Sequence, residues 1–253
     1  MAVDILLMIF LFFIGLFVGL LAIMIGLKFP IKKKELHNIC DYCDNEYNLS
    51  ELVPVISYFT NNGKCKYCNN KLNYYYPILE VICGIMFSIA FIRYGLSYEM
   101  FAMILIVTLS TIIFVSDFKY YIINDSPLIV VSIILLLFKF VVFGFKTFLL
   151  SVISGLVMFI VLFVIRLFGN YLFKYDTLGG GDIKLSVVFG ITFGIRLSII
   201  TVILGSFLAF PYAIYGTISK KPKEIPFGPF LVSAFIIVFL WMDQIKYFLD
   251  LMF

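Results

Sequence analysis

Long apolar runs broken by short polar islands recur along the whole chain. The runs cover residues 5–27, 78–91, 100–116, 128–143, 148–168, 183–195, 197–215 and 229–248. Crossing the hydrocarbon layer takes about 20 apolar residues as a helix, so the pattern predicts an all-α polytopic membrane protein with about eight transmembrane helices. Two runs are short. Residues 78–91 gain turns from 74–76, and 183–195 has the length of a half-span or of a helix that begins inside the glycine run before it. The first run has no basic residue ahead of it and no small-residue cleavage site behind it, so it is expected to stay as a membrane helix and not to act as a removable signal. The chain then divides into a first membrane helix (1–27), a polar loop (28–75) and a multi-helix core (76–253).

Composition supports the pattern. At 63% hydrophobic and 13% charged residues, with a mean hydropathy of +1.09, the chain has too little polar surface to cover a soluble globule. Lys and Arg are distributed unevenly between the two sets of loops that eight crossings create, fourteen on one side and five on the other. The positive-inside rule makes the richer side cytoplasmic, with both termini outward. This bias accounts for the net charge of +4 as topology, in contact with membrane lipid, and leaves no reason to invoke nucleic acid.

The island 28–75 holds Cys40-Asp41-Tyr42-Cys43 and Cys65-Lys66-Tyr67-Cys68. Two Cys-x-x-Cys pairs at this separation have the spacing of a tetrahedral zinc site. Disulfides are the competing use of four cysteines, and the reducing side of the membrane favours the metal. The expectation is a small cytoplasmic zinc-binding loop domain with Cys40, Cys43, Cys65 and Cys68 as ligands. His37 reads as an exposed loop residue and Cys83, alone in an apolar run, as part of the core.

The acids carry the remaining chemistry. Leu178-Gly179-Gly180-Gly181-Asp182-Ile183-Lys184 leads directly into an apolar run, and its glycines let another segment come against Asp182. A carboxylate at a membrane boundary is costly, so its usual role is functional and a partner acid is the first thing to seek. Asp117 is that candidate. It closes the run 100–116, where the negative end of its own helix disfavours it. Asp125, by contrast, has a ready role as a helix cap beside Ser126 and Pro127. Glu80, near the start of a run, reads more readily as a cap than as a site residue. Two carboxylates close together in a partly dry site do not both ionise, and one charged with one protonated acid is the arrangement that hydrolyses a peptide bond through water. A rigid turn at 219–230, Ser219 to Phe230, falls on the same side and borders their expected site.

Taken together, Cys40-x-x-Cys43, Leu52 to Ser57, Gly63-Lys64-Cys65-x-x-Cys68, Tyr76-Pro77-Ile78-Leu79-Glu80, Asp117 with Ile123-Asn124-Asp125, Gly179 to Leu185, and Ile225-Pro226-Phe227-Gly228-Pro229-Phe230 resemble the type IV prepilin leader peptidases, in that family's order. The resemblance implies a membrane aspartyl endopeptidase of the plasma or inner membrane that removes the basic leader of prepilins or pseudopilins at the cytoplasmic face. It places Asp117 and Asp182 as the catalytic pair, with Gly179, Gly180, Gly181, Lys184, Asp125 and Glu80 around them. It also implies that the new N-terminal amine is methylated from S-adenosylmethionine. The chain departs from the family at Gly19-Leu20-Leu21-Ala22-Ile23, where Gly-Ser-Phe-x-Asn is usual, at Asn124 in place of proline, and at Tyr75 in place of arginine. These departures leave both aspartates untouched and bear on methyl transfer. Two other classes would use some of the same features: an ion-coupled transporter with acids beside broken helices, and a scaffold that binds partners through its zinc loop.

Overall fold

Inside hydrocarbon every backbone N–H and C=O must find its partner within the protein, and apolar runs of this length do so as helices. The structure, a computed structural model, describes residues 2–28, 55–174, 176–218 and 225–252, and among these the regular elements are all helical. In chain order they are α1 (Ala2–Lys28), α2 (Ile56–Thr60), α3 (Tyr75–Tyr94), α4 (Tyr98–Tyr120), α5 (Asp125–Phe173), α6 (Gly180–Phe193), α7 (Ile195–Ile218), α8 (Gly228–Leu240) and α9 (Met242–Met252). Five of them, α1, α3, α4, α5 and α7, are long and apolar enough to cross a membrane, and α8 with α9 makes a further candidate bent by 76°. The chain is a multi-pass helical membrane protein.

Several boundaries differ from the apolar runs for physical reasons. α5 has 49 residues, about 74 Å at 1.5 Å per residue, more than twice the hydrocarbon thickness. Its backbone breaks at Gly144 (φ 82, ψ 178), between the two runs read from the sequence. α3 begins at Tyr75, because Pro77 is tolerated within a first helical turn. The final run does not continue straight: Asp243, Gln244, Lys246 and Asp250 give α9 a polar face, and the helix turns at Trp241.

The chain forms two units, Met1–Val115 and Ser116–Phe253. In the first, α1 and α3 meet through small residues. A Cβ on Gly15 would lie 2.7 Å from Gly84 Cα, and one on Gly19 would lie 3.1 Å from Glu80 Cα, the close backbone approach by which helices associate in lipid. Ile23 and Leu27 pack with Tyr76 and Val115 at one end, while Phe10, Phe13 and Phe17 stay exposed, as a lipid-facing side requires.

In the second unit, the arm of α5 after the break lies backbone to backbone with α6. A Cβ on Gly190 would stand 2.5 Å from Ser154 O and 2.7 Å from Gly155 Cα. The opposite side of α6 packs on α8 through Phe189 and Phe235, ring centroids 4.5 Å apart, and Gly205 of α7 meets Leu231 of α8. Leu185, Val188, Phe189, Leu231 and Phe235 are fully buried there. This frame holds both ends of α6 in place.

Candidate active site

Asp117 ends up in the last turn of α4, 6% exposed. The helix closes just after it, with Tyr121 in a left-handed conformation (φ 55) and its N–H donating to Asp117 O at 2.9 Å. A backbone group offsets that unfavourable position: Gly228 N–H donates to Asp117 Oδ2 at 2.9 Å. Gly228 opens α8, so the carboxylate stands at the positive end of another helix, which offsets the unfavourable end of its own. The segment Pro226-Phe227-Gly228-Pro229 thus brings its glycine directly onto the acid.

Asp182 lies in the first turn of α6, 7% exposed. Gly179 is the N-cap, with φ −64 and ψ 143. That is ordinary extended backbone, so glycine is needed there for space. A Cβ on Gly179 would lie 2.8 Å from Asp182 Oδ2, and one on Gly181 would lie 2.7 Å from Ile123 Cβ, whereas one on Gly180 would meet nothing nearer than Arg166 Nη1 at 3.6 Å. The Gly179 N–H bonds to the carboxylate, but the buried Oδ1 has no hydrogen-bond partner among the described residues. The charge of Asp117 lies close by.

The loop before the glycines is held by residues that the sequence reading did not single out. Lys174 ends α5 in a left-handed conformation. Asn170 Oδ1 accepts from Thr177 N–H at 2.8 Å and from Thr177 Oγ1 at 3.0 Å, while its Nδ2 donates to Asp176 Oδ1 at 3.0 Å. Arg166 donates to the same Asp176 oxygen at 3.1 Å. The signal was present: Arg166 and Asn170 are polar residues one helical turn apart at the end of an apolar run.

Lys184 and Asp125 come together, Nζ to Oδ2 at 2.6 Å and to Oδ1 at 2.8 Å, both half exposed. Asp125 is not the cap of α5. Asn124 is, its side chain accepting from Ser126 N–H at 3.3 Å, which frees Asp125 for the ion pair. Glu80 does not cap α3 either, because that helix starts a turn earlier. It is 5% exposed and accepts from Val55 N–H at 2.7 Å within the first unit.

Of the four cysteines, Cys40 and Cys43 lie outside the described residues. The other pair sits in a tight knuckle: Cys65 N–H donates to Asn70 O at 2.8 Å, Asn69 N–H to Cys65 O at 2.9 Å and Leu72 N–H to Gly63 O at 2.8 Å. Asn62, Gly63 and Asn69 take left-handed conformations to make these turns. No group of three or more His, Cys, Asp or Glu gathers to hold a metal among the described residues.

Fold and site define a helical multi-pass membrane protein with two buried carboxylates at helix ends. Residues 13–94 match the bacterial peptidase A24 N-terminal domain and residues 103–214 the type IV leader peptidase family. Similar curated proteins are each named prepilin leader peptidase/N-methyltransferase. That of Bacillus subtilis (strain 168) is 26% identical over 93% of this chain and 94% of its own length. That of Vibrio cholerae serotype O1 is 30% identical over 80% of each, and that of Stutzerimonas stutzeri is 28% identical over 83% and 73%. No solved structure matches the chain. The chain belongs to the type IV leader peptidase family.

Proposed function

We propose that the protein cleaves the basic leader from type IV prepilins or pseudopilins at the cytoplasmic face of the plasma or inner membrane, with Asp117 and Asp182 as the catalytic pair. The observation that carries this reading is a buried, unpartnered oxygen on Asp182 beside the charge of a second buried carboxylate. The two acids differ in ways that divide the work. Gly228 N–H and the N-terminal end of α8 favour the charged form of Asp117, while Asp182, buried with one oxygen unbonded, is assigned the proton. Asp117 then takes a proton from water, whose oxygen attacks the scissile carbonyl carbon. Asp182 donates a hydrogen bond to the developing oxyanion and gives its proton to the leaving nitrogen as the C–N bond breaks. Exchange of the proton with water resets the pair.

Within the same proposal, Gly179 and Gly181 give Asp182 its room, and Lys184 with Asp125 ties the start of α6 to α5. Gly180 completes the turn, and Glu80 fixes the loop at Val55. Residues 1–27 form the first membrane helix, 28–75 the cytoplasmic tetracysteine loop and 76–253 the peptidase core. Both arms of α5, α6 and the bent α8–α9 pair bring the crossings to about eight. Cys65 and Cys68 have the Cys-x-x-Cys spacing that presents two thiolates to one side of an ion, and with Cys40 and Cys43 would close a four-coordinate zinc site whose contribution is structural. Methyl transfer from S-adenosylmethionine to the new N-terminal amine is included on the strength of the relatives' names alone.

Co-expression with a type IV prepilin tests the reading, the measured quantity being the size shift on leader removal. Asp117→Asn and Asp182→Asn are each expected to abolish the shift, since amides of the same shape cannot titrate. Asp125→Asn is expected to leave a substantial part of it, because an exposed ion pair is worth about 0–1 kcal/mol. Wild-type cleavage by either of the first two variants would sink the assignment.

A further inference from the structure

The last carbonyls of a helix have no partner within it, and in apolar surroundings an unbonded carbonyl is costly. α6 ends this way, and its end is closed by a residue far from it in sequence. Lys139 Nζ donates to Ile191 O at 2.7 Å, to Thr192 O at 3.2 Å and to Ser151 Oγ at 3.0 Å. Gly190 O is taken by Gly194 N–H at 3.0 Å, and Gly194 O by Ser198 Oγ at 2.6 Å. The three ammonium donors are matched to three acceptors, and the charge sits at the negative end of α6.

Lys139 is 9% exposed and belongs to the arm of α5 before the Gly144 break, whereas Ser151 belongs to the arm after it. One ammonium therefore joins both arms of α5 to the end of α6. The count of fourteen against five included Lys139 among the five charges of the outer loops, although it lies within the run 128–143, and its burial takes it out of that count. A lysine buried in a membrane helix bundle is expensive, and satisfying two carbonyls does not by itself require a charge. What the ammonium adds is direction. Apolar contacts along α6 depend on area and resist sliding weakly, while three directed bonds to a charge specify one axial register. Buried ionic groups are best attested in this registering use. Asp182 stands about 14 Å along the same helix from Ile191, at 1.5 Å per residue, and the start of α6 is tied to α5 through Lys184 and Asp125.

We propose that Lys139 is a positioning residue that sets the depth of α6, and through it the place of the Asp182 carboxylate. This rests on the reading of Asp182 as catalytic. The test uses full-length purified protein in lipid nanodiscs, with two readouts on the same samples: hydrogen–deuterium exchange of α6 peptides, and kcat and KM for a prepilin substrate. Lys139→Met is expected to raise exchange in the last turns of α6 while α7 and α8 stay as in wild type, and to lower kcat at least tenfold with KM within twofold. Lys139→Arg, which keeps charge and donors, is expected to restore α6 protection and most of kcat. If the Met variant is not recovered folded, Ser151→Ala, which removes one of the three acceptors, is expected to lower kcat two- to fivefold and loosen the same turns.

A lower kcat with unchanged exchange in α6, or greater exchange with unchanged kcat, would overturn the proposal. So would a Met variant, or in its absence an Ala variant, equal to wild type in both readouts. A wild-type protein that cuts no prepilin would instead refute the peptidase reading, and the exchange data would still report whether Lys139 holds α6.

Discussion

One added methyl group separates the three glycines before Asp182. Gly179→Ala would place a carbon 2.8 Å from the Asp182 carboxylate, and Gly181→Ala one 2.7 Å from the branched Cβ of Ile123, while Gly180→Ala meets only the end of a flexible arginine at 3.6 Å. Cleavage assays on the three purified variants are expected to show losses of at least tenfold at 179 and 181 and less than threefold at 180, a ranking that equal losses would contradict. The sequence showed the run and its acid but not this difference, because the neighbours responsible are remote in sequence or depend on a side-chain direction.

At the scale of elements, one position on α6 leaves no room for an added carbon. A Cβ added at Gly190 would meet backbone, Ser154 O at 2.5 Å and Gly155 Cα at 2.7 Å, which cannot rotate away. Gly190→Ala is therefore expected to destabilise the second unit by about 1–3 kcal/mol, the usual cost of overpacking, read as a lower thermal midpoint in detergent. Gly216→Ala, with nothing within 4 Å, is the matched control and should leave the midpoint alone. The helices were legible as apolar runs because length and hydropathy are local properties. The bend at Trp241 was not, because an average over 229–248 hides that the polar residues of α9 fall on one face. Nor was the role of Gly228 legible. A backbone N–H has no side-chain signature, and only the fold brings it 111 positions along the chain to Asp117.

For the molecule as a whole, the tetracysteine loop supplies a test that does not involve catalysis. Purified protein is expected to contain one zinc per chain, and Cys65→Ser to lower both the metal content and the yield of folded protein. Metal binding in small sites is largely folding free energy, on the order of 10 kcal/mol in isolated zinc peptides. Wild-type protein free of zinc, with the four thiols oxidised in pairs, would overturn the assignment. The expectation of zinc rests on cysteine spacing, whereas the depth of each helix in the bilayer is not written in any spacing. Depth is where the shortness of two neighbouring helices matters. α6 has 14 residues and α8 has 13, about 21 and 20 Å, against hydrocarbon about 30 Å thick. Packed side by side through Phe189 and Phe235 and largely buried against the longer α5 and α7, they make a thin centre within a thicker rim, and bilayer thickness acts on it through that rim. Acyl-chain length therefore becomes a control on the enzyme. In vesicles of matched headgroup, cleavage is expected to be faster with fourteen-carbon than with twenty-two-carbon chains, and a rate indifferent to chain length would show that the surrounding helices shield this centre from bilayer thickness.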